Sequence, residues 1–492
     1  MNKIIYNLYY PKIFFCFIVC FFCFKSSAQT SQPLKNFIEK PILKGASVSF
    51  AVKDIKSGKL LYSYDADREL IPASVMKTVT TAVALELLGE NFRFETSILY
   101  DGKIENGILN GNLYIKGSGD PTINSSELKT KKDSILNIWA LAVKKAGIQK
   151  INGRVIADES IFDTEGVSMK WMREDLGSDY AQGSYGVNIF DNQYTLYIET
   201  GTVGTQPSIS STEPSMPFIT FHNHLKTLAI SKDSFYVTGF PYENDRYLYG
   251  SLRANRSKAK IVGDIPEPAL YFAQYFTNYL FIYHDIKVEK EASCYRILSQ
   301  SGQWKQAEYK KLVSTYSPTL KEIVYITNFR SHNLYADVLL KTLGLRYNPN
   351  PKENISSFEK GVRVIKKHLE KNKINISSLW MYDGSGLAAT NKVTAEFLCE
   401  LYIHMNKSTV SEAYLKSLPR SGVEGTVRNF LKGTFLQNKM RLKSGSMSRV
   451  ISYGGYFQQG EKEYAIVILV NNFSGKNSQV RTAIEELFLA LF

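Results

Sequence analysis

Ile71-Pro-Ala-Ser-Val-Met-Lys-Thr78 is the stretch on which the reading of this 492-residue chain turns. Ser74 follows closely on Pro72 and heads an apolar-periodic run that reaches about Leu88 and ends at Gly89. If Ser74 opens a helix, a spacing of three puts Ser74 and Lys77 on one face of it. The lysine amine then lies within reach of the serine hydroxyl. The positive field of a helix N-terminus and partial desolvation both disfavour an ammonium, so a neutral Lys77 is available to take the serine proton. The pair is a serine nucleophile with a lysine base, the logic of a catalytic triad without histidine.

S-x-x-K is a weak pattern alone. It recurs at Ser126/Lys129, Ser257/Lys260 and Ser357/Lys360, and any one copy reads equally well as a capped helix or a polar turn. Ser74 therefore needs partners elsewhere in the chain. Ser331-His-Asn333 is the only S-x-N in the sequence, and Lys443-Ser-Gly445 follows it. A second K-S-G at Lys56 precedes the nucleophile and falls in a hairpin turn. The copy at Lys443 is expected just ahead of a strand, whose edge suits an extended peptide added as a further strand.

The rest of the chain is globular in composition, 44% hydrophobic and 22% charged. Its length suggests about three domains. Lys3 and Lys12 precede the apolar run Ile13 to Phe24, and Ser26-Ser-Ala28 offers small residues for cleavage. Residues 1–28 therefore read as a secretory signal peptide, with an uncleaved anchor as the alternative, and predict an exported, periplasmic or cell-envelope protein. Removing that segment leaves Cys294 and Cys399, too few for a disulfide framework and expected as buried thiols. The formal charge is +14 and falls to +11 without Lys3, Lys12 and Lys25. Such a surface favours peripheral contact with anionic wall polymer or membrane headgroups. With no concentrated basic block, zinc finger or RNA-binding signature, no nucleic-acid partner is expected.

Ala46 to Val52 and Leu60 to Tyr64 read as a hairpin around Lys56-Ser-Gly58. Residues 93–309 alternate short strands with helical runs at Ser134 to Ala146 and Pro268 to Tyr279, and form a mixed α/β block. Gly117-Ser-Gly-Asp-Pro-Thr122 lacks a phosphate-loop ending, and its proline bars a following helix, so it reads as a structural turn. Helices are expected at Leu334 to Leu343, Glu359 to Asn372, Thr394 to Met405, Thr426 to Leu431 and Ser478 to Phe492, and strands at Val450 to Phe457 and Tyr464 to Val470. The loops Asp383-Gly-Ser-Gly-Leu387 and Ser421 to Gly425 read as glycine turns without a catalytic part. His222-Asn-His224 is the nearest approach to a ligand pair and reads as a strand-face pair; no metal and no cofactor is expected.

Ser74-x-x-Lys77, Ser331-x-Asn333 and Lys443-Ser-Gly445, in that order, resemble the motifs of penicillin-binding proteins and serine β-lactamases. The 257 residues between Ser74 and Ser331 narrow the resemblance to the class C low-molecular-mass penicillin-binding proteins, the D-alanyl-D-alanine carboxypeptidase/endopeptidase family, in which extra domains lie between the first two motifs. Gly119-Asp-Pro-Thr122, Ser331 to Asp337, Asp383 to Leu387, Leu418 to Thr426 and Gly454-Gly-Tyr456 extend it over nearly the whole mature chain.

The resemblance implies an α/β (α+β) fold whose catalytic domain has an antiparallel sheet flanked by helices. Residues 29–92 and 310–492 would form it, with 93–309 inserted and a nested piece near 190–280. It implies acyl transfer to Ser74 with Lys77 as base, Ser331 relaying a proton, Asn333 holding the substrate amide and Lys443 supplying positive charge. Ser444, Gly445 and Ser446 would bind substrate, Ser444 at the terminal carboxylate and Ser446 through a backbone N–H in the oxyanion hole. Peptidoglycan stem peptides would be the substrate and β-lactams covalent inhibitors. Two positions depart from the family: His332 stands where Asp is usual, and Ser444 where Thr is usual. A β-lactamase or esterase on the same fold, and a silent wall-binding protein, remain the other classes open to the sequence.

Overall fold

The computed structural model describes residues 31–350 and 353–492. The expected signal segment, residues 1–28, lies outside them. Among the described residues no helix is long and apolar enough to cross a membrane.

The sheet that carries the site is antiparallel and five-stranded. Its order is Met440–Met447, Val450–Gln459, Lys462–Asn471, Ser47–Asp54, Leu60–Tyr64. The sequence Tyr464-Ala-Ile-Val-Ile-Leu-Val470 shows why its middle is so apolar. Successive side chains point to opposite faces, and both faces are covered. Ile466, Ile468 and Val470 meet the C-terminal helix Asn477–Leu491 and the short helix Gln32–Ile38. Ala465, Val467 and Leu469 meet the other helical layer. At the heart of that layer lies Lys77–Leu88, buried from Lys77 to Leu85 and closed by Gly89 at φ +81°. Its threonines can be buried on every side because Thr78, Thr80 and Thr81 donate to the carbonyls of Val75, Gly384 and Lys77. Leu320–Arg330, Asn333–Tyr347 and Ala395–Asn406 surround it.

Residues between the first two motifs build a second core. The strand order Ser293–Cys294, Val155–Asp158, Leu113–Lys116, Glu95–Tyr100, Lys310–Tyr316 forms one sheet. Helices Ser134–Lys145 and Pro268–His284 pack on it through Trp139, whose ring lies 5.7 Å from both Phe272 and Phe276. Between 193 and 264 the chain makes two further three-stranded sheets, both contributing to this core. Cys294 and Cys399 are free and buried. His222 and His224 stand on one strand face and stack on Tyr247 and Tyr249.

Four expectations are corrected. Lys310–Tyr316, expected with the catalytic residues, pairs with Glu95–Tyr100 in the sheet of the intervening region. Lys443-Ser-Gly445 lies inside the strand Met440–Met447 rather than ahead of one. Thr426 to Leu431 is a 3-10 turn, Gly425–Val427, followed by turns, because the segment spans too few residues to propagate a helix. Ser74 sits in a separate 3-10 turn, Ala73–Met76, with the α-helix beginning at Lys77.

Candidate active site

Three pieces of chain converge at Ser74. Its tight turn places Ser74 Oγ 3.0 Å from Lys77 Nζ. Ser331 closes the helix Leu320–Arg330 in the left-handed region, at φ +64°, and only His332 separates it from Asn333, the first residue of the next helix. That link delivers Asn333 Oδ1 to 2.5 Å from Lys77 Nζ. The edge strand Met440–Met447 brings Lys443, whose Nζ donates to Ser331 Oγ at 2.9 Å and to Ser444 O at 2.7 Å. Ser444 Oγ donates to Thr426 Oγ1 at 2.8 Å. Gly445 passes so close to the nucleophile that a Cβ there would lie 2.6 Å from Pro72 O and 2.9 Å from Ser74 N. Ser446 follows on the same strand, in register with Ile451. All eight residues singled out from the sequence thus lie on these converging segments.

The sequence reading missed the groups that surround Lys77. Its third neighbour is a backbone carbonyl, Ser385 O, at 2.6 Å. Asp337 Oδ1 accepts from the N–H groups of Gly384 and Ser385 and so shapes that turn. Asp383 accepts from Gly386 N, Ala388 N, Asn391 Nδ2 and Trp171 Nε1. The glycine turn expected to be structural therefore supplies a direct partner to the amine. The intervening region also reaches in: Asn333 Nδ2 donates to Tyr180 O at 2.6 Å. The pairing of Asp337 with a turn 47 residues away left no trace in local sequence pattern, although both segments had been marked as family blocks.

Burial dominates the electrostatics. It lowers the Lys77 pKa to about 8, against the opposing pull of the Asp337 and Asp383 carboxylates. It pushes Asp337 up to about 7, helped by the like charge of Asp383 and opposed by Lys77. Lys443 falls well below the usual lysine range through burial and the neighbouring Lys77 charge. A lysine poised near neutrality has the protonation behaviour a general base requires. An amine with two N–H groups and one lone pair matches this setting. The carbonyl oxygens of Asn333 and Ser385 can take the two N–H groups, which leaves the lone pair for the Ser74 hydroxyl.

His332, the departure in the second motif, turns away from Lys77. Its Nε2 lies 3.4 Å from Asp191 Oδ1 and its ring packs 4.3 Å from Tyr335.

The family model described as D-Ala-D-Ala carboxypeptidase 3 (S13) matches residues 30–490. The chain belongs to this family. Its curated relatives include the D-alanyl-D-alanine carboxypeptidase of Actinomadura sp. (strain R39), 27% identical over 90% of this chain and 81% of that one. The D-alanyl-D-alanine carboxypeptidase DacB of Haemophilus influenzae is 26% identical over 89% of this chain and 88% of its own. The crystal structure of penicillin binding protein 4 (dacB) from Haemophilus influenzae superposes with a TM-score of 0.78 at 22% identity, covering 93% of this chain and 98% of that one. That likeness establishes the S13 fold over almost the whole described chain, including the region between the first two motifs.

Proposed function

We propose that this protein is an exported serine D,D-peptidase that cuts the D-alanyl-D-alanine bond of peptidoglycan stem peptides through an acyl-enzyme at Ser74. The observation that carries the reading is the Lys77 amine, buried, lowered to about 8 and 3.0 Å from Ser74 Oγ. In this reading Lys77 takes the serine proton as Ser74 Oγ attacks the carbonyl. The backbone N–H groups of Ser74 and Ser446 stabilise the oxyanion, each such donor being worth about 2.7–4 kcal/mol. Ser331, held by Lys443, passes a proton to the leaving amine. Asn333 holds the substrate amide, and Ser444 binds the terminal carboxylate. Water then releases the acyl group. Met440 and Leu442 are already paired with Ser421 and Pro419, so it is the later edge of the strand, from Ser444 to Met447, that accepts the peptide as an added strand.

The division of labour follows. Residues 31–92 and those from about 317 onward form the catalytic domain, and 93–316 the inserted region, with 193–264 nested in it. The signal segment and the net positive charge suit a periplasmic site beside anionic wall polymer.

The test is mass spectrometry of the mature protein with penicillin, beside Ser74→Ala. One adduct on the Ser74 peptide, absent from the variant, is the expected result. Labelling retained in Ser74→Ala would overturn the assignment. Rapid hydrolysis of nitrocefin with no peptide cleavage would make the protein a β-lactamase instead.

A further inference from the structure

Arg330-Ser-His-Asn333 carries the second motif between two helices, and all but Ser331 reach into the inserted region. Arg330 Nε pairs with Glu127 Oε2 at 2.9 Å, on the surface. Asn333 Nδ2 donates to Tyr180 O. Between them His332 Nε2 lies 3.4 Å from Asp191 Oδ1, with only 9% and 3% of the two side chains exposed. That buried oxygen has no hydrogen-bond partner besides among the described residues. The second carboxylate oxygen accepts from Ser126 N and Oγ at 2.8 and 2.9 Å. Burial pushes the Asp191 carboxyl up, but the His332 ring and the donors of Ser125 and Ser126 outweigh it and hold the group below the usual range. An ionised carboxylate only accepts, so Nε2 is the ring nitrogen that turns a proton toward it. The ring also packs 4.3 Å from Tyr335, whose hydroxyl donates to Ser125 Oγ at 2.7 Å. The two groups that hold His332 are thus anchored on adjacent residues, Ser125 and Ser126.

The turn that presents Asp191 is held against its own preference. Phe190, Asp191 and Asn192 have φ of 55°, 55° and 52°, successive residues in the region that favours glycine. Phe190 N donating to Ile123 O keeps them there, as does Asn192 Nδ2 donating to Gly183 O and to Asn188 Oδ1. Such conformations persist where the surroundings over-determine them, and they gather at functional sites. The residue they reach is well placed to matter. His332 is the single residue between Ser331, whose Oγ accepts from Lys443, and Asn333, whose Oδ1 accepts from Lys77. A shift of its backbone would move both groups together.

We propose that His332 is a positioning residue for acyl transfer: its ring, tethered to Asp191, holds the Ser331–Asn333 link in place against Lys77 and Lys443. The proposal rests on the peptidase reading for the reaction it serves, and deepens it. It also gives the departure at His332 a reason. A carboxylate at this position would meet Asp191 with like charge, whereas a ring N–H meets it with opposite polarity.

The test uses the full mature chain and saturation kinetics with a fluorescent penicillin, which separate the acylation rate constant from initial binding. His332→Leu keeps much of the bulk and removes the donor. Its acylation rate constant should fall about tenfold, short of the roughly 100-fold of a 1 Å misplacement, with initial binding little changed. His332→Gln, whose side-chain amide can donate to Asp191, should recover most of that loss. His332→Asp should lose more than His332→Leu, and Asp191→Asn in the same chain should relieve it, since Asn still accepts from Ser126 and tolerates the left-handed turn. A residue that merely fills space would be served by leucine and indifferent to the charge at Asp191. A folded His332→Leu enzyme with the wild-type rate constant, or a His332→Asp loss that Asp191→Asn leaves untouched, would overturn the proposal. Hydrogen exchange at the amides of residues 332–335 needs no catalysis; it should quicken in His332→Leu and slow again in His332→Gln. In a wild type that neither labels with penicillin nor cuts peptide, quickened exchange would uphold the tether and refute the peptidase reading, and unchanged exchange would overturn both, so the two failures are distinct.

Discussion

Replacing Gly445 with alanine tests the site at its tightest point. The added Cβ would lie 2.6 Å from Pro72 O and 2.9 Å from Ser74 N, and would also press on Ser452 Oγ. Ser452 cannot swing away freely, since its hydroxyl donates to Pro72 O at 2.6 Å. Carbon contacts settle near 3.5 Å, so the edge strand and the nucleophile turn must separate by roughly 0.6–0.9 Å. Overpacking of this kind costs about 1–3 kcal/mol of stability. The effect on chemistry should be larger, because a displacement near 1 Å costs on the order of 100-fold when it misplaces reacting groups. The expected outcome is a folded enzyme whose second-order rate of acylation by a fluorescent penicillin drops about 10- to 100-fold. Thermal unfolding of the same samples separates lost alignment from lost fold. A folded Gly445→Ala enzyme that acylates at the wild-type rate would refute the claim that the strand approaches the nucleophile this closely.

Three further outcomes follow from the charges and bonds described. Acylation should rise with pH and reach half its plateau near pH 8, because the neutral form of Lys77 is the reactive one; a rate flat from about pH 6 to about pH 9 would argue against Lys77 as base. Glu86 accepts from His368 Nε2, His404 Nε2 and Ser408 Oγ at 2.7, 2.9 and 2.8 Å, and these bonds, against the opposing effect of burial, hold its carboxyl well below the usual range. Glu86→Gln should cost about 1.5–3 kcal/mol in urea unfolding at neutral pH. A depressed carboxylate contributes stability that is present above its unfolded pKa, about 4.3, and lost as pH falls through the folded one, so the difference from wild type should shrink in that acid window. Trp171→Phe removes the 2.8 Å bond to Asp383 Oδ2 and should cost about 1–3 kcal/mol and slow penicillin labelling, with unchanged melting as the contrary result.

The parts of the molecule legible in sequence are those fixed by local rules. The hairpin around Lys56, the helix closed by Gly89 and the doubly buried run Tyr464 to Val470 each carry their own pattern. The three motifs were legible because each is a short, chemically constrained string. What escaped was of another kind. Ser385 contributes a carbonyl, which every residue has, so no side-chain pattern could mark it. Trp171 and Tyr180 act across 212 and 153 residues of chain, a separation periodicity does not see. The boundary drawn at 310 fell before Lys310–Tyr316, which pairs with Glu95–Tyr100, because local sequence does not state which strand a segment will neighbour.

These misses share a physical cause. Lys77 is useful only near neutrality, and burial alone would drive it lower than about 8. Asp337 and Asp383 supply the counterweight, and their carboxylates must be fixed in place to do so. Backbone N–H groups of the 384–388 turn fix one side of that arrangement. Trp171 of the inserted region fixes the other, and Ala181, Leu387 and Ala388 join it in a small apolar cluster at the seam. Asn333, which holds one N–H of Lys77, is in turn anchored to Tyr180 O. Two of the three neighbours of the Lys77 amine, Asn333 and Ser385, thus depend on residues between 93 and 309. The basicity of Lys77 is therefore set jointly by both cores, which argues that the inserted region is part of the catalytic apparatus as well as a surface for the polymer.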